Sequence, residues 1–374
     1  MSSIVVNRKE FNEVMQTASV FAGLHRGLLM LDNVLFQKKD KNLVITSTDT
    51  EAYVSRSIRI DTHEDTKDIA FLVNPKDICQ LLSQITDETV TIEFENNAMT
   101  LKYSNGYVST ATYDGSEFPV SPFEGGGNVY TGISADTLAE AMKRAVNFAS
   151  NDITRPAMCS VVLHFGEDDF SVYASDAVAM FLQRVHDSMG YDNRVLLIPK
   201  KSIKAIVNML KTCAVFRGVV ANDTHIKFVF DDGVVISCLT DAKYPNVKKV
   251  LPSSFSKKIH VGKMMLMDSI KRVSLSAGDR RRIRFDLKSG YKQFDISSAD
   301  ADLRKESKES IHADINADTD IEIGFNADNV IKAVSSLRGN NITLQMNQSC
   351  SATMWSSDED DATKILVMPI HIDC

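Results

Sequence analysis

Eight histidines and six cysteines are the residues of this 374-residue chain best suited to act as nucleophiles or metal ligands. No histidine lies in a His-Glu-x-x-His segment, and no two cysteines have the Cys-x-x-Cys spacing of a zinc site. No serine or cysteine falls in a recognisable nucleophile motif. The sequence therefore predicts no catalytic residue, no metal and no cofactor, and we interpret the cysteines as reduced thiols, mostly in the core.

Acidic residues form the other candidate groups for chemistry. The run at 358–361 lacks the alternating ligands and central glycine of a calcium loop, so we interpret it as a solvated loop. Asp231 and Asp232 lie between two alternating segments and predict a turn. Asp49 and Asp176 share one position of an internal repeat, which favours a folding role. A magnesium-dependent nuclease using Asp231 and Asp232, or the run at 358–361, remains the enzymatic alternative.

The elements that position these residues belong to an ordinary globular chain. Hydrophobic residues make up 44% of it and charged residues 24%, and its length fits two or three domains. No apolar run approaches the roughly 18 residues that span a bilayer. The first residues lack the pattern of a signal peptide, so we expect a cytoplasmic protein without a membrane segment.

An internal repeat organises the whole chain. Three segments each begin with a short strand that leads into an amphipathic helix, and each is followed by a second unit of strand and helix. Val73, Ile198 and Phe325 hold the same place in these second units, separated by 125 and 127 residues. The predicted helices are 8–21, 74–85, 134–149, 199–211, 261–276 and 326–338. The sequence therefore predicts three copies of one α+β unit.

Strand pairs lie between and after the helices of each repeat. Alternation predicts pairs at 34–38 with 43–58, 161–165 with 170–185, and 283–287 with 293–311. Further hairpins are predicted around Asn96 and Asn97 and around the Asp-Asp-Gly turn at 231–233. Segments with residues that break regular structure, at 118–127 and 244–254, separate the repeats. We interpret Gly125 to Gly127 as linker because no Lys-Ser/Thr follows them. We predict domains at 1–124, 128–252 and 257–374.

Charge is distributed unevenly between the helices and the rest of the chain. The six predicted helices carry 14 Lys and Arg against 7 Asp and Glu, a balance of +7. The remainder carries −14, because the whole chain has a net charge of −7. Lys200, Lys204 and Lys211 follow one stripe of their helix, beside an apolar stripe. Each lysine alone is typical of a solvated helix face, but the set predicts a shared cationic surface.

Such a surface predicts binding to nucleic-acid phosphate. The chain has no zinc-finger spacing, no aromatic stacking motif and no basic arm, so nothing in it indicates that bases are read. Binding through mobile Lys and Arg side chains would be independent of sequence and strongly dependent on salt. We therefore expect DNA as a partner, held loosely at any one site.

Three segments resemble the bacterial DNA polymerase III beta subunit family, the sliding clamps. The segment Tyr-Pro-Asn-Val-Lys-Lys-Val-Leu-Pro at 244–252 is similar to the family's aromatic-Pro-x-x-basic-basic-Val-Leu-Pro pattern. Ile-Gly-Phe-Asn at 323–326 looks like its approach to the last helix, and Val-Met-Pro-Ile at 367–370 looks like its Val-Met-Pro-Met tail. Together with the repeat, these segments extend the resemblance over nearly the whole chain.

The resemblance implies a fold and a set of partners. The fold is α+β, with three repeated clamp domains per chain, each carrying two helices on antiparallel sheets. Two chains form a six-domain ring as a head-to-tail homodimer around duplex DNA, and this processivity factor has no catalytic activity. DNA polymerase, the clamp loader and other replication or repair proteins dock a short hydrophobic peptide between domains two and three. The residues expected to contact DNA are Arg26, Lys143, Arg144, Asn151, Lys200, Lys201, Lys204, Lys271 and Arg272.

The docking groove implied by the resemblance draws on separate segments, as a composite groove requires. Its expected residues are Met158, Ser175, Ala177, Met180, Pro245, Lys249, Val250, Cys350, Leu366, Met368 and Pro369. Bacterial clamps commonly have Gly-His-Arg-Leu where this chain has Ala-Val-Ala-Met at 177–180, which removes polar and basic groups from the pocket. Such drift is typical of a divergent clamp, bacterial or phage-encoded. The non-enzymatic alternative is an open three-domain scaffold that binds replication proteins without DNA.

Overall fold

The computed structural model of the chain describes residues 2–23, 30–62, 70–95, 97–119, 121–167, 169–187, 191–300 and 304–371. These residues divide into two compact units. The first unit comprises Met1–Glu140 with Lys201–Thr240, and the second comprises Ala141–Lys200 with Asp241–Cys374. The units differ from the three predicted domains, whose limits stay a prediction.

The first third of the chain contains two helices. Its elements are β1 (Ser2–Asn7), α1 (Arg8–Ala18), β2 (Val34–Lys39), β3 (Asn42–Thr48), β4 (Ala52–Arg59), β5 (Asp61–Thr62), β6 (Ala70–Val73), α2 (Pro75–Gln84), β7 (Thr89–Glu95), β8 (Ala98–Tyr103), β9 (Gly106–Ala111) and β10 (Tyr113–Asp114).

The middle third repeats this order and adds a short helix. Its elements are β11 (Asn128–Tyr130), α3 (Ala135–Ala145), β12 (Ser160–Phe165), β13 (Asp169–Ser175), β14 (Ala179–Asp187), β15 (Arg194–Pro199), α4 (Lys200–Thr212), β16 (Phe216–Ala221), β17 (His225–Phe230), β18 (Gly233–Cys238) and α5 (Val247–Val250). Short 3-10 turns lie at Val146–Phe148 and Pro156–Cys159.

The last third follows the same plan. Its elements are β19 (Lys257–Gly262), α6 (Lys263–Val273), β20 (Arg282–Leu287), β21 (Gln293–Asp300), β22 (Lys305–His312), β23 (Asp314–Asn316), β24 (Ile321–Asn326), α7 (Ala327–Ser336), β25 (Asn341–Met346), β26 (Thr353–Ser356) and β27 (Thr363–Val367), with a 3-10 turn at Ser274–Ser276.

Local chemistry explains where three of the helices begin. Asn7, Asn74 and Asn326 each precede a helix in extended conformation, and each side-chain oxygen accepts a hydrogen bond from a backbone amide of the first turn. This N-cap satisfies amides that have no partner within the helix. The six long helices lie where the sequence predicted them, with ends shifted by at most four residues. The predicted long strand at 43–58 is two strands, because the chain turns at Asp49.

Two sheets belong to each unit. The first unit has a five-stranded sheet in the order β5-β1-β7-β8-β9 and a nine-stranded sheet in the order β10-β6-β2-β3-β4-β18-β17-β16-β11. The second unit has a nine-stranded sheet, β15-β12-β13-β14-β27-β26-β25-β19-β23, and a four-stranded sheet, β22-β21-β20-β24. Each nine-stranded sheet therefore joins strands from two of the sequence repeats.

Apolar side chains fill the space between helices and sheets in both units. Phe11 of α1 lies edge-on to Phe36 of β2, with ring centroids 6.2 Å apart, and both are fully buried. In the second unit, buried Trp355 contacts Phe325 and Phe285 at centroid distances of 5.9 and 6.5 Å. Aromatic pairs at such distances stabilise beyond the area that they bury. These cores fix the sheets on which the candidate sites stand.

Candidate partner cleft and cationic helices

A turn closed by an aspartate forms one wall of a cleft in the second unit. Between β13 and β14, Asp176 Oδ1 accepts hydrogen bonds from the backbone amides of Val178 and Ala179, at 3.0 and 2.7 Å. Ala177 consequently has φ +73°, a conformation that costs energy for a residue with a Cβ. Lys332 Nζ lies 2.8 Å from Asp176 Oδ2 and anchors the turn from α7.

Two paired strands form the floor of the cleft. β14 and β27 run antiparallel with Met180 opposite Leu366, and the amide of Met368 donates to the carbonyl of Val178 over 2.8 Å. Met180 and Leu366 are buried, whereas Met368 and Val178 remain 38% and 40% exposed. The floor therefore combines anchored apolar side chains with exposed ones that a ligand could cover.

The opposite wall is the segment that contains α5. Tyr244 packs edge-on against Tyr173, with ring centroids 5.4 Å apart. Burial raises the pKa of Tyr173 to about 12 and also raises that of Tyr244, so both phenols are neutral at physiological pH. From this base the chain continues through Pro245 into α5, where Val250 is 49% exposed. The sequence predicts groove residues in this segment but no helix, because a single helical turn has no recognisable period.

These walls enclose a cavity of about 220 Å³, the second-unit cleft. Its lining includes eight of the eleven residues predicted for the docking groove: Met158, Ser175, Ala177, Met180, Pro245, Val250, Leu366 and Met368. Lys249, Cys350 and Pro369 are not among the lining residues, although Lys249 and Cys350 are exposed. The prediction did not include Val178, Ala179, Tyr244 and Val247, which also line the cleft.

The predicted DNA contacts on α4 differ in their surroundings. Lys200 Nζ donates to Asn151 Oδ1 over 2.9 Å and to the carbonyl of Ala149 over 3.1 Å. Lys201 lies 2.7 Å from Asp49 Oδ2 and also contacts Glu51. Burial lowers the pKa of Lys201, but the hydrogen bonds with these carboxylates outweigh it and raise the pKa overall. Lys204, one turn further along, is exposed.

Arg144 of α3 differs from the exposed lysines. Its guanidinium bonds Asp360 Oδ2 over 2.8 Å, Gln183 Oε1 over 2.6 Å and the carbonyl of Ser336 over 3.1 Å. The side chain is only 11% exposed and also lies over the Phe181 ring. This geometry assigns Arg144 to holding the second unit together and argues against a phosphate contact. The solvated-loop interpretation of 358–361 is wrong for Asp360, which is buried.

The remaining predicted DNA contacts are mostly exposed. Lys143, Lys271 and Arg272 are exposed. Arg272 makes a bidentate pair with Glu309, at 2.7 and 2.8 Å, which raises the pKa of the arginine and lowers that of the glutamate. Arg26 lies outside the described residues.

Two family models match the chain. The DNA polymerase III beta subunit N-terminal domain matches residues 2–122, and the C-terminal domain of the same subunit matches residues 248–371. The chain belongs to the DNA polymerase III beta subunit family. The family resemblance predicted from the sequence is therefore confirmed, as is the α+β clamp fold.

Relatives and solved structures of this family cover the chain from end to end. The beta sliding clamp of Haemophilus influenzae is 22% identical over 92% of both chains, and that of Escherichia coli is 20% identical over 98% of this chain and 99% of the relative. The DNA polymerase III beta subunit of Thermotoga maritima superposes with a TM-score of 0.89 at 20% identity, covering 100% of both chains. A Pseudomonas aeruginosa sliding clamp bound to griselimycin gives 0.89 at 18% identity, covering 99% of this chain and 100% of the other.

The two aspartates in the turn at 231–233 of this beta subunit family member form ion pairs with arginines. Asp231 pairs with Arg217, and Asp232 lies 2.9 Å from Arg56 Nε. Within the described ranges, no group of three or more His, Cys, Asp or Glu side chains could hold a metal ion. No helix in the described part of the chain is long and apolar enough to cross a membrane.

Proposed function

We propose that this chain acts as a DNA sliding clamp. In this proposal it is a non-catalytic cytoplasmic subunit that encircles duplex DNA as a head-to-tail homodimer and tethers the replicative polymerase. Membership of the DNA polymerase III beta subunit family, across both ends of the chain, is the observation that carries the proposal. The strand pairing within the chain supports a specific way for two protomers to close the ring.

One rule joins successive repeats within the chain. In the first repeat, the last strand of the β2-β3-β4 set pairs with β18, the last strand of the second repeat. In the second repeat, β14 occupies the same place as β4 and pairs with β27, the last strand of the third repeat. Both pairings are antiparallel. The repeat therefore provides the same joint twice.

Two strands remain that this rule would join across chains. β22 stands in the third repeat where β4 and β14 stand in the others, and it ends the four-stranded sheet. β9 is the last strand of the β7-β8-β9 set in the first repeat, where β18 and β27 stand in the others, and it ends the five-stranded sheet, with Tyr107 68% exposed. Sheet edges present unpaired backbone groups that another chain can cover. We infer that β22 of one protomer pairs with β9 of the next, which makes the dimer head-to-tail.

The cationic helices support DNA as the occupant of the ring. Lys143, Lys200, Lys204 and Lys271 are the proposed phosphate contacts, and Asn151, Lys201 and Arg272 are further candidates. Arg26, outside the described residues, stays a prediction from the family resemblance. Contacts to phosphate alone give binding that is independent of base sequence and weakens steeply with salt. Because the ring would retain DNA by enclosing it, affinity at any one site can stay low.

The second-unit cleft supports the docking of partners. It is apolar, narrow and open at an exposed rim, which fits a short hydrophobic segment of a polymerase, clamp loader or repair protein. Its lining contains no Lys, Arg, Asp or Glu among the described residues. We propose that partner affinity there comes from burial of apolar anchors.

Release from cut DNA tests the proposal. The protein, loaded by its cognate loader, should stay on a circular duplex and leave when the circle is cut, and it should sediment as a dimer at micromolar concentration. Val108→Asp on β9 should shift the sedimenting species from dimer to monomer and abolish retention on the circular duplex, because a charge on an edge strand disfavours pairing with another strand. Ile153→Asp, at an 86% exposed site, is the matched control and should retain both properties. Equal retention on cut and uncut DNA contradicts encirclement.

Lys204→Glu separates electrostatic contact from ring closure. The exposed position should leave the free energy of unfolding unchanged within about 0.5 kcal/mol. It should nevertheless reduce the salt dependence of DNA binding, since each lost phosphate contact lowers the slope by about 0.9. An unchanged slope would remove Lys204 from the proposed DNA surface.

A further inference from the structure

The first unit repeats the chain geometry that builds the second-unit cleft. Thr50 occupies the turn position of Ala177, and the two residues have φ values of +75° and +73°. Asp49 Oδ1 accepts from the amides of Glu51 and Ala52 at 3.1 and 2.7 Å, as Asp176 does in the second unit. Two turns with one hydrogen-bond pattern therefore stand at equivalent strand joints.

The other wall is repeated as well. Phe118 and Pro119 follow the last strands of the first repeat as Tyr244 and Pro245 follow those of the second. Phe118 is buried and packs with Leu35 and Leu72 on the face of the sheet opposite α1. Tyr244 packs in the same way with Val162 and Leu197. Each aromatic residue thus attaches the segment that follows a repeat to its own sheet.

These shared features surround a larger space in the first unit. A cavity of about 1060 Å³, the first-unit cavity, is lined by Met30, Leu31, Thr50, Ala70, Phe71, Leu72, Asn97, Thr112, Tyr113, Asp114 and Pro119. In the second unit, the corresponding space is divided into cavities of about 640 and 220 Å³ that share Tyr244, Pro245 and Val247. Ligand pockets commonly measure about 300–1,000 Å³, so the first-unit cavity can take several side chains of a bound segment.

Charge distinguishes the two regions. Asp114 is the charged member of the first-unit cavity lining in the described part of the chain, and its neighbour Glu117 is exposed. Hydrogen bonds from Ser116 lower the pKa of Asp114, so it is ionised at neutral pH. In the second unit, Lys243 accompanies Asp169 in the larger cavity, and Lys249 is exposed on α5. The first-unit cavity therefore has one carboxylate in a described lining that is otherwise uncharged, with Glu117 close to it in the chain.

We propose that the first-unit cavity is a second docking site, which takes an extended apolar segment flanked by Lys or Arg. The inference rests on the proposed function, because it extends the docking role of the second-unit cleft to its repeat counterpart. Buried Leu31 and Leu72 receive the apolar side chains of the segment, and Asp114 faces its cationic flank. The two sites would let one protomer hold two partners of different charge.

The test uses labelled peptides and the full-length dimer. The first probe has a leucine-phenylalanine pair between flanking lysines, the second has flanking glutamates, and the third keeps the lysines but has serines in place of the apolar pair. Fluorescence anisotropy should show saturable binding of the first probe, weaker binding of the second and none of the third. Ala70 is exposed in the wall of the cavity. Ala70→Trp should weaken binding of the first probe about tenfold or more, because the larger side chain fills the cavity.

Two further variants complete the experiment. Asp114→Lys should also weaken the lysine-flanked probe, and it changes an exposed side chain, so it remains informative if Ala70→Trp fails to fold. Val195→Trp stands at the equivalent position of the second unit and should leave the lysine-flanked probe unaffected. Two outcomes overturn the second site: the lysine-flanked probe does not bind the wild type, or it binds both Ala70→Trp and Asp114→Lys as tightly as the wild type. Failure of the cognate polymerase peptide to bind the second-unit cleft would instead count against the proposed function.

Discussion

The two strand joints of the chain are closed by buried arginines that come from different elements. At the first joint, where β4 pairs with β18, Arg56 projects from β4 and its Nε lies 2.9 Å from Asp232. At the second joint, where β14 pairs with β27, Gln183 holds the position of Arg56, and Arg144 comes from α3 to bond both Gln183 and Asp360. Both joints therefore have an ion pair between an arginine and an aspartate, but the arginine belongs to a strand at the first joint and to a helix at the second.

Burial of the acidic partner also differs between the joints. Asp232 is 32% exposed at its side chain, whereas Asp360 is 6% exposed. Water can therefore solvate Asp232 if its arginine is lost, but Asp360 would remain as a buried charge. We therefore expect similar ion pairs at equivalent joints to contribute unequally to stability, because the exposure of the acidic partner sets the cost of losing the arginine.

Removing each arginine should give the largest difference between the joints. Arg144→Ala should lower the free energy of unfolding by about 3–5 kcal/mol, because it leaves an uncompensated buried carboxylate. Arg56→Ala should cost about 2 kcal/mol, since Asp232 can be hydrated. Urea unfolding followed by circular dichroism measures both. Asp360→Ala added to Arg144→Ala should restore part of the loss, and equal effects of the two single variants would contradict the comparison.

The second joint also borders the second-unit cleft. Substitutions at equivalent positions of the two joints can therefore distinguish a loss of peptide binding from a loss of stability. Met368 donates its amide to Val178 at the second joint, and Cys238 donates to Glu51 at the equivalent place of the first. Replacing Leu366 and Met368 with Ala should weaken binding of a peptide from the C-terminus of the cognate polymerase. The loss of binding free energy should be about 2 kcal/mol or more for each side chain removed.

Cys238→Ala is the matched control for this experiment. It should leave affinity for the polymerase peptide unchanged, because Cys238 does not line the second-unit cleft. Fluorescence titration gives the affinities, with the dimer mass checked in parallel. Undiminished binding by an intact Leu366 and Met368 double variant would assign the peptide to another surface.

The aspartate turns provide the smallest expected difference. Asp49 is 1% exposed and pairs with Lys201, whereas Asp176 is 25% exposed and pairs with Lys332. Substitution by Asn keeps the oxygen that accepts the turn amides but removes the charge. Asp49→Asn should cost about 2 kcal/mol and Asp176→Asn about 1 kcal/mol, because burial strengthens the lost pairing. Hydrogen exchange at the turn amides of Glu51 and Ala52, compared with those of Val178 and Ala179, measures the loss at each turn. Equal losses in the two variants would contradict a role for burial.

The sequence by itself determined the local elements and the family. Caps such as Asn7 and Asn326, the turn at 231–233 and the apolar period of each helix all act over a few residues, so they can be recognised without tertiary structure. The same locality made the threefold repeat visible, because each copy must bury the same faces. Eight of the eleven residues expected in the docking groove line one cavity. Their prediction rests on the positions of the family's motifs, and the pairing of β14 with β27 brings two of those segments together.

Only the tertiary structure decided which strands join and which charges are buried. The pairing of β4 with β18 brings Arg56 to Asp232 across 176 residues, and no local pattern encodes that partnership. Arg144 has the sequence surroundings of an exposed helix cation, yet its guanidinium is enclosed because Asp360, in the loop between β26 and β27, and Gln183 on β14 approach it from remote parts of the chain. The first-unit cavity likewise exists because segments as far apart in sequence as those of Thr50 and Pro119 line the same space. These properties follow from packing, since the exposure of a side chain depends on neighbours that are remote in sequence.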